Sequence, residues 1–345
     1  MCADLWCVTA YFNPGHYRTR RTNYELFANP IRAAGIPLLT VECAFGNDLF
    51  ELPAGPDVLQ VRSLHVLWQK ERLINLGVAN LPSQVTKVAW LDGDIVFTNP
   101  DWAVQTAAML DEYPVVQPFA WAIRLRQGER AAGIQSSCYE SFASVWQRDR
   151  SLIHAGGLDV HGHTGFAWAA RRSLLIRHGL YEAALNANGD HLIAHAMAVD
   201  YDGPCMNSVT SFGRLENAAM LGRRKRTFSM LLDALPKKFK HYVYLALKRP
   251  HLPYRNHFHA WARPFSEDVQ GQIGCTAGNL LHFWHGEGIG DRGHGTGRLA
   301  LLSNGFNPAM HLHIGASGCL EWAKDDPRLQ QWAREFFVAR REDGK

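Results

Sequence analysis

The chain has little that would mark it as secreted, membrane-spanning or nucleic-acid-binding. Its seven cysteines are odd in number and scattered. With no CxxC pair among them, neither a disulfide framework nor a zinc site is expected, and a reducing cytoplasm is the simplest setting. No apolar run approaches the roughly 18 residues of a membrane span. Leu5-Trp6-Cys7-Val8-Thr9-Ala10 is too short an apolar run, without a basic leader, to read as a signal peptide. Internal repeats and low-complexity tracts are lacking too. The net charge of +4 is too small to argue for nucleic acid. Much of it is local, in Arg223-Arg224-Lys225-Arg226 and Lys237-Lys238-Phe239-Lys240, so the stretch 223–249 is expected to suit a membrane surface or an acidic partner.

What is present is an ordinary globular composition, 47% hydrophobic and 20% charged over 345 residues, enough for one large α/β domain or two smaller ones. Strand and helix signals alternate along the first third. Leu5 to Ala10 reads as a strand broken by Tyr11-Phe12-Asn13-Pro14-Gly15, and Asn23 to Ala33 as a helix. Ile36 to Val41 is a second strand with Glu42 at its carboxyl end. A short strand over 58–62 then leads into a helix expected over 64–78, whose buried stripe is Leu64, Leu67, Trp68, Ile74 and Val78. This alternation predicts a mostly parallel, doubly wound sheet flanked by helices. Ligands of such sheets bind outside the carboxyl ends of the strands, which places Thr9, Tyr11 and Asn13 to meet one.

The organising stretch is Val88-Ala89-Trp90-Leu91-Asp92-Gly93-Asp94-Ile95-Val96-Phe97. A continuous apolar run marks a strand covered on both faces. Asp92 and Asp94 flank Gly93, whose backbone freedom lets both carboxylates address one point. Mn²⁺ or Mg²⁺, held by carboxylates together with substrate phosphates, is the cation such a turn suits.

The Asp-Gly-Asp segment resembles the DxD motif of GT-A glycosyltransferases in the broad GT2-like group, which use nucleotide-sugar donors and a divalent cation. Other stretches fall in the matching order. The string Leu67 to Asn75 is similar to the family's donor helix, and it implies that Lys70 and Asn75 face the donor; Glu42 resembles the acid placed against its ribose or base. His161 to Arg172, with Gly165, Phe166 and Trp168, followed by Gly189-Asp190-His191, resembles the acceptor half. That likeness implies Asp190 as general base, with Phe166, Trp168 and His191 toward the acceptor. Phe166 and Trp168, two apart, are expected on one strand face, and Asp190 reads equally as a helix N-cap. Asn279 to Gly286 resembles the strand-end histidine that completes the metal site. It implies His285 as third ligand beside Asp92 and Asp94, with His282 as runner-up, and Arg292 in a glycine-rich loop closing on the diphosphate.

Taken together, the resemblance implies one GT-A domain: residues 1–120 as nucleotide-sugar half, 121–213 as acceptor half, 214–270 as a basic extension, and 271–345 as metal-ligand strand, closing loop and C-terminal helix. The polar stretch 123–137 is expected as a mobile loop. The implied activity is metal-dependent transfer from a nucleotide-sugar, a UDP-sugar first, to a carbohydrate or other hydroxyl acceptor with inversion. The absence of an anchor of the type II Golgi kind points to a cytoplasmic enzyme. A retaining transferase, a sugar nucleotidyltransferase and a non-catalytic glycan- or partner-binding scaffold remain alternatives, and the oligomeric state stays open.

Overall fold

In a computed structural model, which describes residues 4–133, 136–155, 158–213, 248–286 and 294–344, the apolar runs assemble into a large mixed sheet. Its strands are β1 (Leu5–Phe12), β2 (Leu38–Phe45), β3 (Val58–Ser63), β4 (Lys87–Leu91), β6 (Val115–Gln117), β9 (Ala167–Arg171) and β12 (Ile273–Cys275). They lie in the order β12-β6-β9-β4-β1-β2-β3. Every neighbouring pair is parallel except those of β9, which runs against β4 and β6. Helices cover both faces, so alternate residues of each strand enter two separate cores. Val8, Val88, Trp90 and Trp168 enter one; Cys7, Ala89, Leu91 and Ala169 enter the other. The chain is thus mixed α/β with a mostly parallel central sheet flanked by helices.

From β1 the chain winds outward to β2 and β3, then returns to the other side of β1 at β4. A crevice opens where a doubly wound sheet reverses direction, and Asp92 follows β4 at that reversal. Because β9 is antiparallel, Ala167 at its start pairs with Leu91 at the end of β4, bringing residues 161–166 to the same edge.

A second sheet stands over this edge, in the order β5-β13-β7-β8. It consists of β5 (Ile95–Phe97), β7 (Trp121–Arg124), β8 (Ser137–Glu140) and β13 (Asn279–His282). β5 and β13 are antiparallel with His282 opposite Ile95, and the Phe283 amide donates to the Asp94 carbonyl at 2.8 Å. Two small antiparallel pairs complete the strands: β10 (Ser211–Gly213) with β11 (Lys248–Pro250), and β14 (Leu312–Ile314) with β15 (Leu320–Trp322).

Two sequence expectations shift. The helix expected over 64–78 starts only at Lys70 and runs to Asn80. Leu64 is 76% exposed, outside the buried stripe. Glu321 accepts from the Leu64 amide, and Gln69 exchanges hydrogen bonds with both backbone groups of Leu320, so 64–69 is tied to β15 in an open path. The loop expected over 123–137 is shorter, since its ends belong to β7 and β8, which pair as a hairpin. Of the basic extension, residues 214–247 lie outside the described part, including Arg223 to Arg226 and Lys237 to Lys240. The helix Leu252–Val269 beyond them buries Tyr254, Phe258, Ala262 and Phe265.

The far end of the chain closes on the beginning. Asp343 accepts from the amides of Arg18 and Thr19 at 3.1 and 2.8 Å, capping the helix Arg18–Ala33, which has no side-chain cap of its own. Glu342, 1% exposed, takes a bidentate pair from Arg20 at 2.9 and 2.8 Å and a third bond from Arg340 at 2.6 Å.

Candidate functional site

Three sets of side chains meet at the carboxyl edge of β4. The first is Asp94 with two histidines. His285 Nε2 lies 3.3 Å and His282 Nε2 3.5 Å from Asp94 Oδ2, and the two Nε2 atoms are 3.1 Å apart. Asp94 Oδ1 is buried with no hydrogen-bond partner. An orphaned carboxylate oxygen beside two converging imidazoles fits a divalent cation, and two nitrogen donors suit Mn²⁺ better than Mg²⁺. Burial opposes the charge of Asp94, but His282, His285 and Arg20 hold its carboxyl well below the usual range.

The second set is Asp92, Lys70 and Asp190. The Lys70 ammonium is 2.6 Å from Asp92 Oδ1 and 2.7 Å from Asp190 Oδ2, and it bridges the turn after β4 to the first turn of the helix Gly189–Met197. Burial works against the lysine charge, yet Asp190, Asp92 and Glu71 hold its pKa above the ordinary value. Asp92 is pushed up to about 6 by burial, with Asp190 and Asp94 adding and Lys70 opposing. Glu71, 2% exposed, is pushed up to about 8, again by burial. Gly189 is required beside it, because a Cβ there would stand 2.0 Å from Glu71 Oε1. Asp190 is not the N-cap, a place taken by Asn188.

The third set surrounds Phe166. This residue has φ +80°, uncommon for a bulky side chain and a mark of strain at a site. Its carbonyl accepts from the Asp92 amide at 2.8 Å. The positive φ breaks the strand alternation, so Phe166 enters the core that holds Ala167 and Ala169 while Trp168 enters the opposite one. The expected shared face for these two aromatics is therefore not formed. Phe166 stacks on His163 at 4.0 Å, and His163 Nε2 meets Arg124 Nη2 at 2.9 Å.

The remaining expected residues fall as follows. Thr9 is buried and donates to the Leu91 carbonyl at 2.8 Å. The Tyr11 hydroxyl and the Asn13 amide both bond Glu51. Glu42, 2% exposed, accepts from the Glu51 and Leu52 amides and from Gln60, so it fixes a loop rather than facing open space. Asn75 holds the Leu180 backbone and Glu182 instead of turning to the acidic edge. It lines a cleft of about 560 Å³ with Arg72, Tyr181 and Trp261 that contains none of Asp92, Asp94 or Asp190. Gly93 has ordinary φ, and the nearest atoms to a Cβ there would be 3.8 Å away, so neither strain nor crowding demands glycine. At Gly165 a Cβ would come 3.4 Å from Asp190 Oδ2 and 3.2 Å from the His163 ring, so this glycine keeps the approach to Asp190 clear. Trp168 is 1% exposed and donates to the Thr164 carbonyl; His191 joins a separate histidine group. Arg292 lies outside the described residues.

Asp94 and His285 thus come together as expected, with His282 as an equal partner and Asp92 ion-paired to Lys70 outside their group. The charges of Arg20 and Arg124 both bear on Asp94; in sequence Arg20 reads only as one of three arginines, with Arg18 and Arg21, that could face phosphate, and Arg124 is not singled out. Only tertiary pairing brings them there.

No family model matches the chain, and no curated protein matches it. Among solved structures it is similar to the catalytic domain of Drosophila β1,4-galactosyltransferase 7 in complex with xylobiose. The identity is 11% over 55% of this chain and 58% of that one, with a TM-score of 0.26. A mutant of that enzyme with manganese, UDP-Gal and xylobiose gives 11% over 51% and 55%, with a TM-score of 0.23. The 4-diphosphocytidyl-2C-methyl-D-erythritol synthase of Anaerococcus prevotii gives 12% over 51% and 74%, with a TM-score of 0.29. The chain spans little more than half the length of both galactosyltransferase structures.

Proposed function

We propose that this chain is a metal-dependent glycosyltransferase of the GT-A type, moving a sugar from a nucleotide-sugar, first a UDP-sugar, onto a hydroxyl acceptor. The reading rests on one observation: at the sheet's switch point, Asp94 with His282 and His285 stands beside the Asp92–Lys70–Asp190 bridge. Mn²⁺ or Mg²⁺ bound by Asp94, His282 and His285 would neutralise the donor diphosphate and stabilise it as it leaves. Asp190 is the base. It takes the proton of the acceptor hydroxyl as the new glycosidic C–O bond forms and the anomeric bond to the diphosphate breaks, which inverts the centre. The Lys70 ammonium lies 2.7 Å from Asp190 Oδ2 and so orients the carboxylate that meets the acceptor hydroxyl. The same ammonium, 2.6 Å from Asp92 Oδ1, sets the Asp92 and Asp190 carboxylates at a fixed separation.

Thermal unfolding against UDP-, GDP-, CMP- and TDP-sugars, with Mn²⁺ and then with chelator, tests the reading, because a ligand selective for the folded state raises Tm. A Mn²⁺-dependent rise with one nucleotide, lost in Asp94→Ala, is expected. No rise with any nucleotide, with or without metal, would leave only the scaffold reading. Product analysis with the active donor separates sugar transfer from nucleotidyl transfer, which would release pyrophosphate.

A further inference from the structure

A second set of metal-ligating side chains lies apart from the acidic edge, and none of the chemistry above uses it. His191 and His195 are four residues apart on the helix Gly189–Met197, hence on one face. His161 ends the short helix Leu158–His161, and Cys205 comes from the helix Pro204–Val209. Ring centroids of the three histidines are 4.7, 4.9 and 5.2 Å apart. Cys205 Sγ is 3.0 Å from His191 Nε2 and 3.5 Å from His161 Nε2, and one ligand atom from each of the four residues lies within 4.8 Å of the others. A tetrahedral zinc with Zn–N near 2.0 Å and Zn–S near 2.3 Å separates its ligands by roughly 3.3–3.7 Å, so the set needs only small adjustment.

The surroundings are those of ligating imidazoles. His161 Nδ1 bonds the Gly162 carbonyl at 2.8 Å, and His195 Nδ1 bonds Asp200 Oδ2 at 2.9 Å. Asp200 Oδ1 is held in turn by His154 at 2.9 Å. Such partners fix the tautomer and leave Nε2 as the donor. His195 is 0% exposed, and its Nε2 is buried with no hydrogen-bond partner. A packed histidine cluster without a metal gives no account of that orphaned nitrogen.

We propose that His161, His191, His195 and Cys205 form a closed, structural zinc site. Three imidazoles and a thiolate are a borderline-soft donor set that selects zinc over magnesium or calcium, and four protein ligands leave no position for substrate. The chain spacing hides it, since no CxxC pair exists and the ligands come from three helices. The site pins the helix start that carries Asp190, next to His191, and the segment 161–165 that ends beside it.

The test is metal analysis of the full chain purified from zinc-supplemented medium, with cobalt replacement of the bound metal. Wild type is expected to retain about one equivalent of zinc through dialysis, and its cobalt form to show tetrahedral d–d bands with a thiolate-to-cobalt charge-transfer band. The equivalent should persist in Asp94→Ala, which removes the other candidate metal centre, and drop to about one tenth or less in Cys205→Ser. Wild-type protein that binds no zinc and gives no charge-transfer band would overturn the proposal without any variant. So would zinc retained unchanged in Cys205→Ser. Either result leaves the nucleotide-binding reading intact, because that reading is scored by Mn²⁺-dependent shifts.

Discussion

Replacing Glu71 by glutamine should stabilise the protein, and increasingly so as pH rises. Glu71 is 2% exposed, and burial pushes its carboxyl up to about 8, whereas the same group ionises near 4.5 in an open chain. Between those values the folded state keeps a proton that the unfolded state has released. The stability tied to this group is therefore fully present below the unfolded value and falls as pH rises toward the folded one. Each pH unit is worth about 1.4 kcal/mol. At about pH 7.5 the loss is roughly 4 kcal/mol, and at about pH 5.5 it is roughly 1.4 kcal/mol. An unfolding entropy of about 2.1 cal/mol/K per residue gives about 0.7 kcal/mol/K for 345 residues. The upper limits are thus about 6 °C at the higher pH and about 2 °C at the lower. Glutamine keeps the shape and can still accept the Trp68 indole N–H, 3.1 Å from Glu71 Oε2, without titrating. Thermal unfolding of both proteins from pH 5 to 8 is the assay. A variant no more stable than wild type at the alkaline end, or a gap that does not widen with pH, refutes the reasoning.

Lys70→Met leaves the half-buried Asp92 and Asp190 without their shared cation, so it should cost about 1–3 kcal/mol in chemical denaturation, less than a fully buried pair would; a loss under about 1 kcal/mol would mean the bridge is solvent-screened. His282→Ala should remove the Mn²⁺-dependent nucleotide shift as fully as Asp94→Ala does, whereas equal binding by His282→Ala and wild type would put the cation elsewhere. Gly286 has φ +94°, and a Cβ there would stand 2.4 Å from the Arg341 carbonyl. Gly286→Ala should therefore loosen residues 340–344, read as faster protease clipping of the C-terminal segment; an unchanged clipping rate counts against that packing. Gly77→Ala places a Cβ 2.5 Å from Val8 Cγ1 and should cost about 1–3 kcal/mol by overpacking the helix against β1.

Much of the fold is legible in one dimension. Apolar runs such as Val88 to Leu91 read as buried strands because both of their faces meet helices, and their alternation with helical stripes dictates a mostly parallel sheet. Asp94 and His285 were also legible, each by its place at the end of an apolar run. Long-range pairing decided what the pattern left open. Only the register of β5 against β13 sets His282 beside Asp94, and the fold joins Lys70 to Asp190 across 120 residues of sequence. The positive φ at Phe166 sends it and Trp168 into different cores, which no residue spacing foretells. Glu42 and Asn75 look like ligand contacts in sequence, but the backbone amides and carbonyls that engage them come from loops the local pattern does not place. The histidine–cysteine group was invisible for the same reason, its ligands lying on three separate helices. Periodicity reports which face of an element is buried; it carries no term for which distant element buries it, and that second choice brings Asp94 to His282 and His285, and His161 and Cys205 to His191 and His195.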